Sequence, residues 1–196
     1  MTARTNSRIP FVSMPLVWTE MENHLFGLHH FYGVRIFSFV LMSNHFHCLA
    51  NFPHANASTA MQYFMQGTSR AISQMENSEN QRYGSRFHRS EITSFHYYKN
   101  AYKYVYRNPV RAGICAAPED YPFSTLRGLV GLEKLHIPLQ EDLTLFESFD
   151  STLRWLRTPP DLQDEHAIRL ALKHQVFSIS KNQETGFSHH LCHDLL

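Results

Sequence analysis

The sequence predicts a mixed fold in which helices pack around a β-hairpin, and two observations support this prediction. Residues 34–42 and 45–52 are rich in aromatic and β-branched side chains, and the polar pair Ser43-Asn44 separates them. Two such segments around a short polar turn are typical of antiparallel strands. Three other segments repeat apolar residues at intervals of three and four, which is the period of an amphipathic helix.

Composition indicates a folded, soluble protein. The chain has 196 residues, of which 43% are hydrophobic, and this suffices for one domain with a packed core, with or without an appendage. Its three cysteines are widely spaced, which predicts no disulfide framework and a reducing compartment. Neither a signal segment nor a membrane-spanning run is visible. We therefore expect a cytoplasmic protein with no membrane partner.

Charge is unevenly distributed along the chain. Residues 1–127 carry 12 Lys/Arg against 7 Asp/Glu, whereas residues 128–196 carry 6 against 10. Between Arg70 and Arg111, eight basic residues alternate with many aromatic ones. Cations for phosphates and rings for unstacked bases are what a nucleic-acid groove needs. An ordinary solvated basic face is the alternative.

Two helices and one extended segment flank the hairpin. Apolar spacing predicts a first helix from Trp18 to Phe31, with Thr19 as its N-cap and Gly33 at its end. The prolines at positions 10 and 15 predict a loop before it. A second helix is predicted from Ser58 to Met75, and residues 83–88 are predicted to be extended.

A third helix, from Phe95 to Arg107, carries two different faces. Its apolar stripe predicts that Tyr98 and Tyr102 belong to the core. A second, polar face holds Asn100, Tyr104, Arg107, Asn108 and Arg111. Because proline disfavours a helical conformation in the residue before it, Pro109 predicts that the helix ends or bends at Asn108.

The strand segment His45-Phe46-His47 places two imidazoles on one face and a phenyl ring on the other. Two imidazoles on one strand can form half of a divalent-metal site. With 14 histidines in the chain, however, this spacing is near chance, and a half-buried strand is the alternative. Three tail histidines, His189, His190 and His193, resemble a metal site in outline but have no evident framework.

Two stretches together resemble a known family. Residues 40–49, Val-Leu-Met-Ser-Asn-His-Phe-His-Cys-Leu, resemble the His-hydrophobe-His motif of single-strand DNA transposases. Residues 104–113, Tyr-Val-Tyr-Arg-Asn-Pro-Val-Arg-Ala-Gly, resemble the tyrosine helix of the REP-associated tyrosine transposases of the HUH superfamily. The resemblance covers roughly residues 1–130, which we predict to form the single-strand DNA transposase and nuclease domain. Residues 131–196 are predicted to form a C-terminal extension, helical or irregular.

The resemblance implies an α+β fold, a ferredoxin-like antiparallel sheet with flanking helices and the histidine pair on a central strand. It implies that His45, His47 and Asn108 bind a divalent metal, Mg²⁺ or Mn²⁺. It also implies that Tyr104 is the catalytic nucleophile. Tyr106 is the competing nucleophile, but two residues turn it about 200° around the helix.

The implied activity is that of a metal-dependent endonuclease and strand transferase. Its substrate would be single-stranded DNA with hairpins from palindromic repeats, and cleavage would proceed through a covalent 5′-phosphotyrosine. A non-catalytic hairpin-binding module, from a decayed or repurposed transposase, is the alternative; a hydrolase that uses water is a third possibility. A monomer or a homodimer is expected. The predicted phosphate contacts, each with ordinary surface charge as its alternative, are Arg70, Arg86, Lys103, Arg107 and Arg111.

The chain departs from the family pattern at its start. Family members usually have a longer first strand before a segment like Thr2-Ala3-Arg4, whereas here Met1 directly precedes it. We therefore expect a short first strand.

Overall fold

A computed structural model of the chain describes residues 1–78, 81–140 and 148–179. Within them, three antiparallel strands form one sheet: β1 (Thr2–Arg4), β2 (Arg35–Met42) and β3 (His45–Asn51), in the order β1-β3-β2. Helices flank this sheet, so the α+β class is confirmed. The histidine-bearing β3 is the central strand.

The hairpin forms as the sequence predicts. Strands β2 and β3 are joined by the Ser43-Asn44 turn, and Met42 lies opposite His45. Val40 then lies opposite His47. A register irregularity occurs only farther along, between Ile36 and Ser38. The two histidines therefore sit in a regular, fully paired part of the sheet, where the backbone fixes their direction.

Strand β1 has three residues and lies beside the histidines. Thr2 pairs with His47, and Arg4 pairs with His45. The outer edge of β1 is covered by the segment predicted to be extended, because Thr2 and His88 exchange backbone hydrogen bonds of 2.9 and 2.8 Å. This cover satisfies backbone groups that an exposed edge would leave open.

Helices α1 (Met14–Tyr32) and α2 (Ala57–Met75) cover one face of the sheet. The start predicted for α1 was wrong, because the helix begins four residues earlier, with Ser13 rather than Thr19 as its N-cap. Pro15 lies in the first turn, where its missing N–H would have no helical partner in any case. Gly33 ends α1 with a left-handed φ of 65°, as predicted.

The main core lies between the sheet and these two helices. Phe46 is fully buried there, and its ring centroid lies 5.3 Å from those of both Phe39 and Phe64. Because side chains alternate along a strand, a buried Phe46 places His45 and His47 on the opposite face of the sheet. The core therefore orients the histidine pair.

Helix α3 (Phe95–Arg111) packs on that opposite face. The helix does not end at Asn108, which was one of the two expected outcomes, because α3 runs through Pro109 to Arg111. Proline removes one helical donor and disfavours helix in the residue before it, so other contacts must offset this cost. Here, the side chain of Asn108 also donates to the carbonyl of Tyr104 at 2.9 Å, which ties the last turn together.

The remaining α-helices of the described residues follow α3. They are α4 (Leu126–Leu129), α5 (Phe149–Arg157) and α6 (Leu162–Ala171), and the last two pack against α3. Ile137, beyond the predicted boundary at residue 130, is buried in the main core. The division into two domains stays a prediction. In the parts of the chain that are described, no helix is both long and apolar enough to cross a membrane.

Candidate active site

The two histidines of β3 form the floor of the candidate site. Their ring centroids lie 5.0 Å apart with the planes nearly perpendicular, and both side chains are half-buried. They face α3 across a groove of about 1380 Å³. The strand thus presents two imidazoles to one space, as its alternation predicts.

Asn44, in the hairpin turn, determines which nitrogen of His45 faces this space. Its Nδ2 donates to the carbonyl of Arg8 at 3.0 Å, so its Oδ1 points the other way. That oxygen lies 2.7 Å from Nδ1 of His45. An amide oxygen can only accept, so Nδ1 carries the proton and Nε2 keeps its lone pair. From the sequence, Asn44 was predicted only as a turn residue, and its role beside His45 was missed.

Both imidazoles are held in the neutral form. Burial is the main cause, and with the nearby cations Arg4 and Arg111 it lowers the pKa of His45 to about 4. Burial, followed by the neighbouring His45, holds the pKa of His47 well below its usual value. A metal ion binds the neutral imidazole, so these environments leave the pair in its ligating form at neutral pH.

Tyr104 lies on the opposite wall of the groove. Its ring meets that of His47 edge-on, with centroids 5.8 Å apart. The guanidinium of Arg111 lies 5.0 Å from the centre of the Tyr104 ring. Strand and helix therefore bring an imidazole, a phenol and a cation together, although more than fifty residues separate His47 from Tyr104.

Tyr106, the competing nucleophile, is enclosed in the core. It is fully buried, and its hydroxyl shares a 2.9 Å hydrogen bond with that of Thr125. Burial raises the pKa of Tyr106. A phenol in this position reaches no substrate, which agrees with the 200° separation expected around the helix.

Asn108, the expected third metal ligand, is buried at 1% exposure and does not line the groove. Its Oδ1 accepts a 2.7 Å hydrogen bond from Nη2 of Arg111, while its Nδ2 donates to Tyr104. Arg111 also lies 3.4 Å from the carboxylate of Glu165 in α6. The amide is thus one turn from Tyr104, as predicted, but Arg111 holds the oxygen that would bind a metal.

Six cationic side chains from the described part of the chain line the groove. Arg111 was predicted as a DNA contact, whereas the others were missed because they come from distant parts of the chain. Among the described residues, Glu91 is the only acidic side chain in the lining. The resulting positive field suits a phosphodiester backbone. The cations not predicted are Arg4, Arg8, Arg89, Arg169 and Lys173.

The other predicted DNA contacts lie elsewhere. Arg70 and Arg86 are exposed and outside the groove lining. Lys103 lies over the ring of Trp155 at 5.1 Å. Arg107 donates from Nη1 to the carbonyls of Leu156 and Arg157 at 2.7 and 2.8 Å. The last two cations therefore tie α5 to α3.

The donor set fits part of a metal site. Two neutral imidazoles converge, but within residues 1–78, 81–140 and 148–179 no three His, Cys, Asp or Glu side chains group closely enough to hold an ion. An amide oxygen or an oxygen of the substrate could supply a third ligand. The tail histidines 189, 190 and 193 lie outside the described residues.

Comparison with known proteins places the chain in a class. The family described as "Transposase IS200 like" matches residues 1–107, more than half of the chain. The chain therefore belongs to the IS200-like transposase family, and the resemblance noted in the sequence is confirmed.

A solved structure agrees in fold. It is described as "Structure of the REP associates tyrosine transposase bound to a REP hairpin", with a TM-score of 0.55 and 20% sequence identity. The match covers 72% of this chain and 84% of the other. The search of curated proteins found no match.

Proposed function

We propose that this protein is a metal-dependent single-strand DNA endonuclease and strand transferase that acts on hairpin DNA. One observation carries the proposal: Tyr104 faces His45 and His47 in a basic groove, whereas Tyr106 is sealed in the core. Membership of a transposase family supports the reaction class. The relative solved with a REP hairpin supports the substrate class.

The metal would be held by His45 and His47, with Asn108 as third ligand once Arg111 releases its amide oxygen. An Mg²⁺ or Mn²⁺ ion bound there would stabilise the negative charge that develops on the phosphate. Asn44 orients His45 for this role through the hydrogen bond to Nδ1.

The chemistry at Tyr104 is a transesterification. Its phenol oxygen loses a proton and forms a bond to phosphorus, while the bond between phosphorus and the 3′-oxygen breaks. The 3′-oxygen takes up a proton and leaves as a hydroxyl. The 5′-phosphotyrosine conserves the energy of the broken ester, so attack by another 3′-hydroxyl rejoins the strands without ATP and restores the phenol.

The chain's own cations position the strand. Arg4 and Arg111 flank the histidine pair, and Arg89 and Arg169 lie along the groove wall. Each can bind a phosphate oxygen through its guanidinium. The exposed Arg70 and Arg86 are proposed to bind the hairpin outside the groove. A monomer or homodimer and a cytoplasmic location stay predictions.

The test removes the hydroxyl group of each of two tyrosines on α3 in turn. Tyr104→Phe should abolish the covalent protein–DNA adduct formed with single-stranded hairpin DNA and Mn²⁺, measured on a denaturing gel. Tyr106→Phe is the matched control; it should keep the adduct and lose only about 1 kcal/mol of stability with its hydrogen bond. Adduct formation by Tyr104→Phe would overturn the assignment.

The engaged state of Asn108 favours a second candidate, a non-catalytic hairpin-binding module. If Arg111 never releases that oxygen, a third ligand is missing. This module would bind hairpin DNA without cleaving it in any divalent metal. A hydrolase that uses water would instead cleave DNA after Tyr104→Phe and leave no covalent species.

A further inference from the structure

The groove continues beyond Tyr104 into an aromatic recess. On α3, residues spaced three apart line it, and they lead from Tyr104 through Ala101 to Tyr98 and Phe95. Phe37 of β2 closes the recess from the sheet side. One continuous surface therefore joins the histidine pair to a cluster of rings, in which Tyr98 is partly buried and also packs against the core cluster around Tyr102, as its apolar spacing predicted.

Three rings form an aromatic cluster in the recess. Phe95 and Tyr98 lie nearly parallel, with an interplanar angle of 21° and centroids 6.1 Å apart. Phe37 meets Tyr98 edge-on at 5.5 Å, which fixes the orientation of that ring. Phe95 is 47% exposed. A large apolar ring left half-exposed inside a groove is available for a flat partner.

The distance to Tyr104 suits a short stretch of nucleic acid. Tyr98 and Phe95 precede Tyr104 by six and nine residues, or about 9 and 14 Å at the helical rise. Stacked nucleotides in one strand advance about 3.4 Å each, so roughly three or four of them span this interval.

The positive charge of the groove favours a nucleic-acid strand as the ligand of the recess. The same groove is lined by six cations and by Glu91 as its one acidic side chain among the described residues. The ammonium nitrogen of Lys99 lies over the Phe95 ring, 5.3 Å from its centroid, and would adjoin the phosphate of a nucleotide whose base contacts that ring. Rings beside cations match the two parts of a nucleotide, because bases stack on aromatic faces while the backbone pairs with charge.

We propose that Phe95 and Tyr98 form a stacking subsite for the unpaired bases of the strand whose phosphate reaches Tyr104. This subsite rests on the proposed function, because that function places the DNA strand at Tyr104. It gives the groove a preference for flexible single strands, whose bases can turn onto the rings, over duplex, whose bases are stacked on each other.

Equilibrium binding without metal tests the subsite separately from catalysis. The probe is a short, fluorescently labelled oligothymidylate. The comparison probe has the same sugar-phosphate backbone but carries no bases. Phe95→Ala should weaken oligothymidylate binding about five-fold or more, which is the range for losing one stacked base. Phe95→Tyr, which keeps the ring, should restore it. Phe31→Ala, at a 73% exposed ring of α1 outside the groove, is the control and should change nothing.

Two further measurements separate stacking from a general loss of binding. Wild type and Phe95→Ala should bind the abasic strand equally, and the salt dependence of affinity should be the same for both because the ring carries no charge. Equal weakening of both probes, or no weakening of either, would overturn the subsite. Failure of the adduct assay with normal stacking would count against the proposed catalysis alone.

Discussion

At the residue scale, the site depends on hydrogen bonds that fix otherwise mobile groups. Asn44 bridges the carbonyl of Arg8 and Nδ1 of His45, so one amide sets both the position of the neighbouring turn and the tautomer of the imidazole. Such partners of a metal-binding histidine strongly influence metal affinity.

Removing this amide should weaken metal binding. Asn44→Ala should raise the Mn²⁺ concentration that gives half-maximal adduct about 10- to 100-fold, the usual effect of losing a histidine's orienting partner. Asn44→Asp should do so much less, because it keeps the acceptor. Ser43→Ala, an exposed neighbour in the same turn, is the control. Equal behaviour of Asn44→Ala and Ser43→Ala would contradict the role.

The sequence distinguishes some of these residues and not others. Helical geometry alone separates Tyr104 from Tyr106, and strand alternation alone separates Phe46 from its two histidine neighbours. The role of Asn44 is invisible in the sequence because it depends on where the carbonyl of Arg8 lies. The engagement of Asn108 by Arg111 depends on a side-chain conformation, which a spacing pattern does not encode.

At the element scale, α3 is held from two sides. Its buried residues pack on the sheet, and α5 lies against it through Arg107 and Lys103. The sequence predicts both faces of α3 but not this second layer, because the partner carbonyls lie about fifty residues away. Pro109 misleads for a related reason: its local preference is overridden by packing and by the Asn108 side chain.

Arg107 should therefore contribute to stability more than to DNA binding. Arg107→Met should lower the free energy of unfolding by about 1.5–3 kcal/mol, because two carbonyls lose a charged donor. Chemical denaturation measures this change. Arg86→Met, at an exposed position, should leave stability unchanged and weaken hairpin binding. If Arg107→Met instead weakened hairpin binding at full stability, Arg107 would be a phosphate contact as the sequence suggested.

At the scale of the whole molecule, the acidic C-terminal part contributes basic residues to the groove. Residues 128–196 have more acidic than basic side chains, yet Arg169 and Lys173 from this part line the groove. The net charge of a segment therefore does not predict the electrostatic potential at the surface that its individual side chains line. The sequence does predict a basic surface for residues 70–111, but the groove also draws on residues at both ends of the described chain.

These two cations should each contribute one phosphate contact. With oligothymidylate, the double substitution Arg169→Gln and Lys173→Gln should reduce the slope of log affinity against log salt by about 1.4, at about 0.7 per contact on single strands. Arg154→Gln, at an exposed cation of α5 outside the groove lining, serves as the control. An unchanged slope in the double variant would exclude Arg169 of α6 and the following Lys173 as phosphate contacts.

The packing of α3 also makes the site sensitive to the number of residues in this helix. One residue inserted between Tyr98 and Tyr104 would turn everything after it by about 100° relative to the sheet. Tyr104 would turn away from the groove, and Tyr106 would lose its hydrogen bond to the hydroxyl of Thr125. A point substitution changes one side chain of this helix, whereas a one-residue insertion or deletion would change which side chains face the groove and which face the core. Length variation among functional relatives should therefore be confined to the loops around α3.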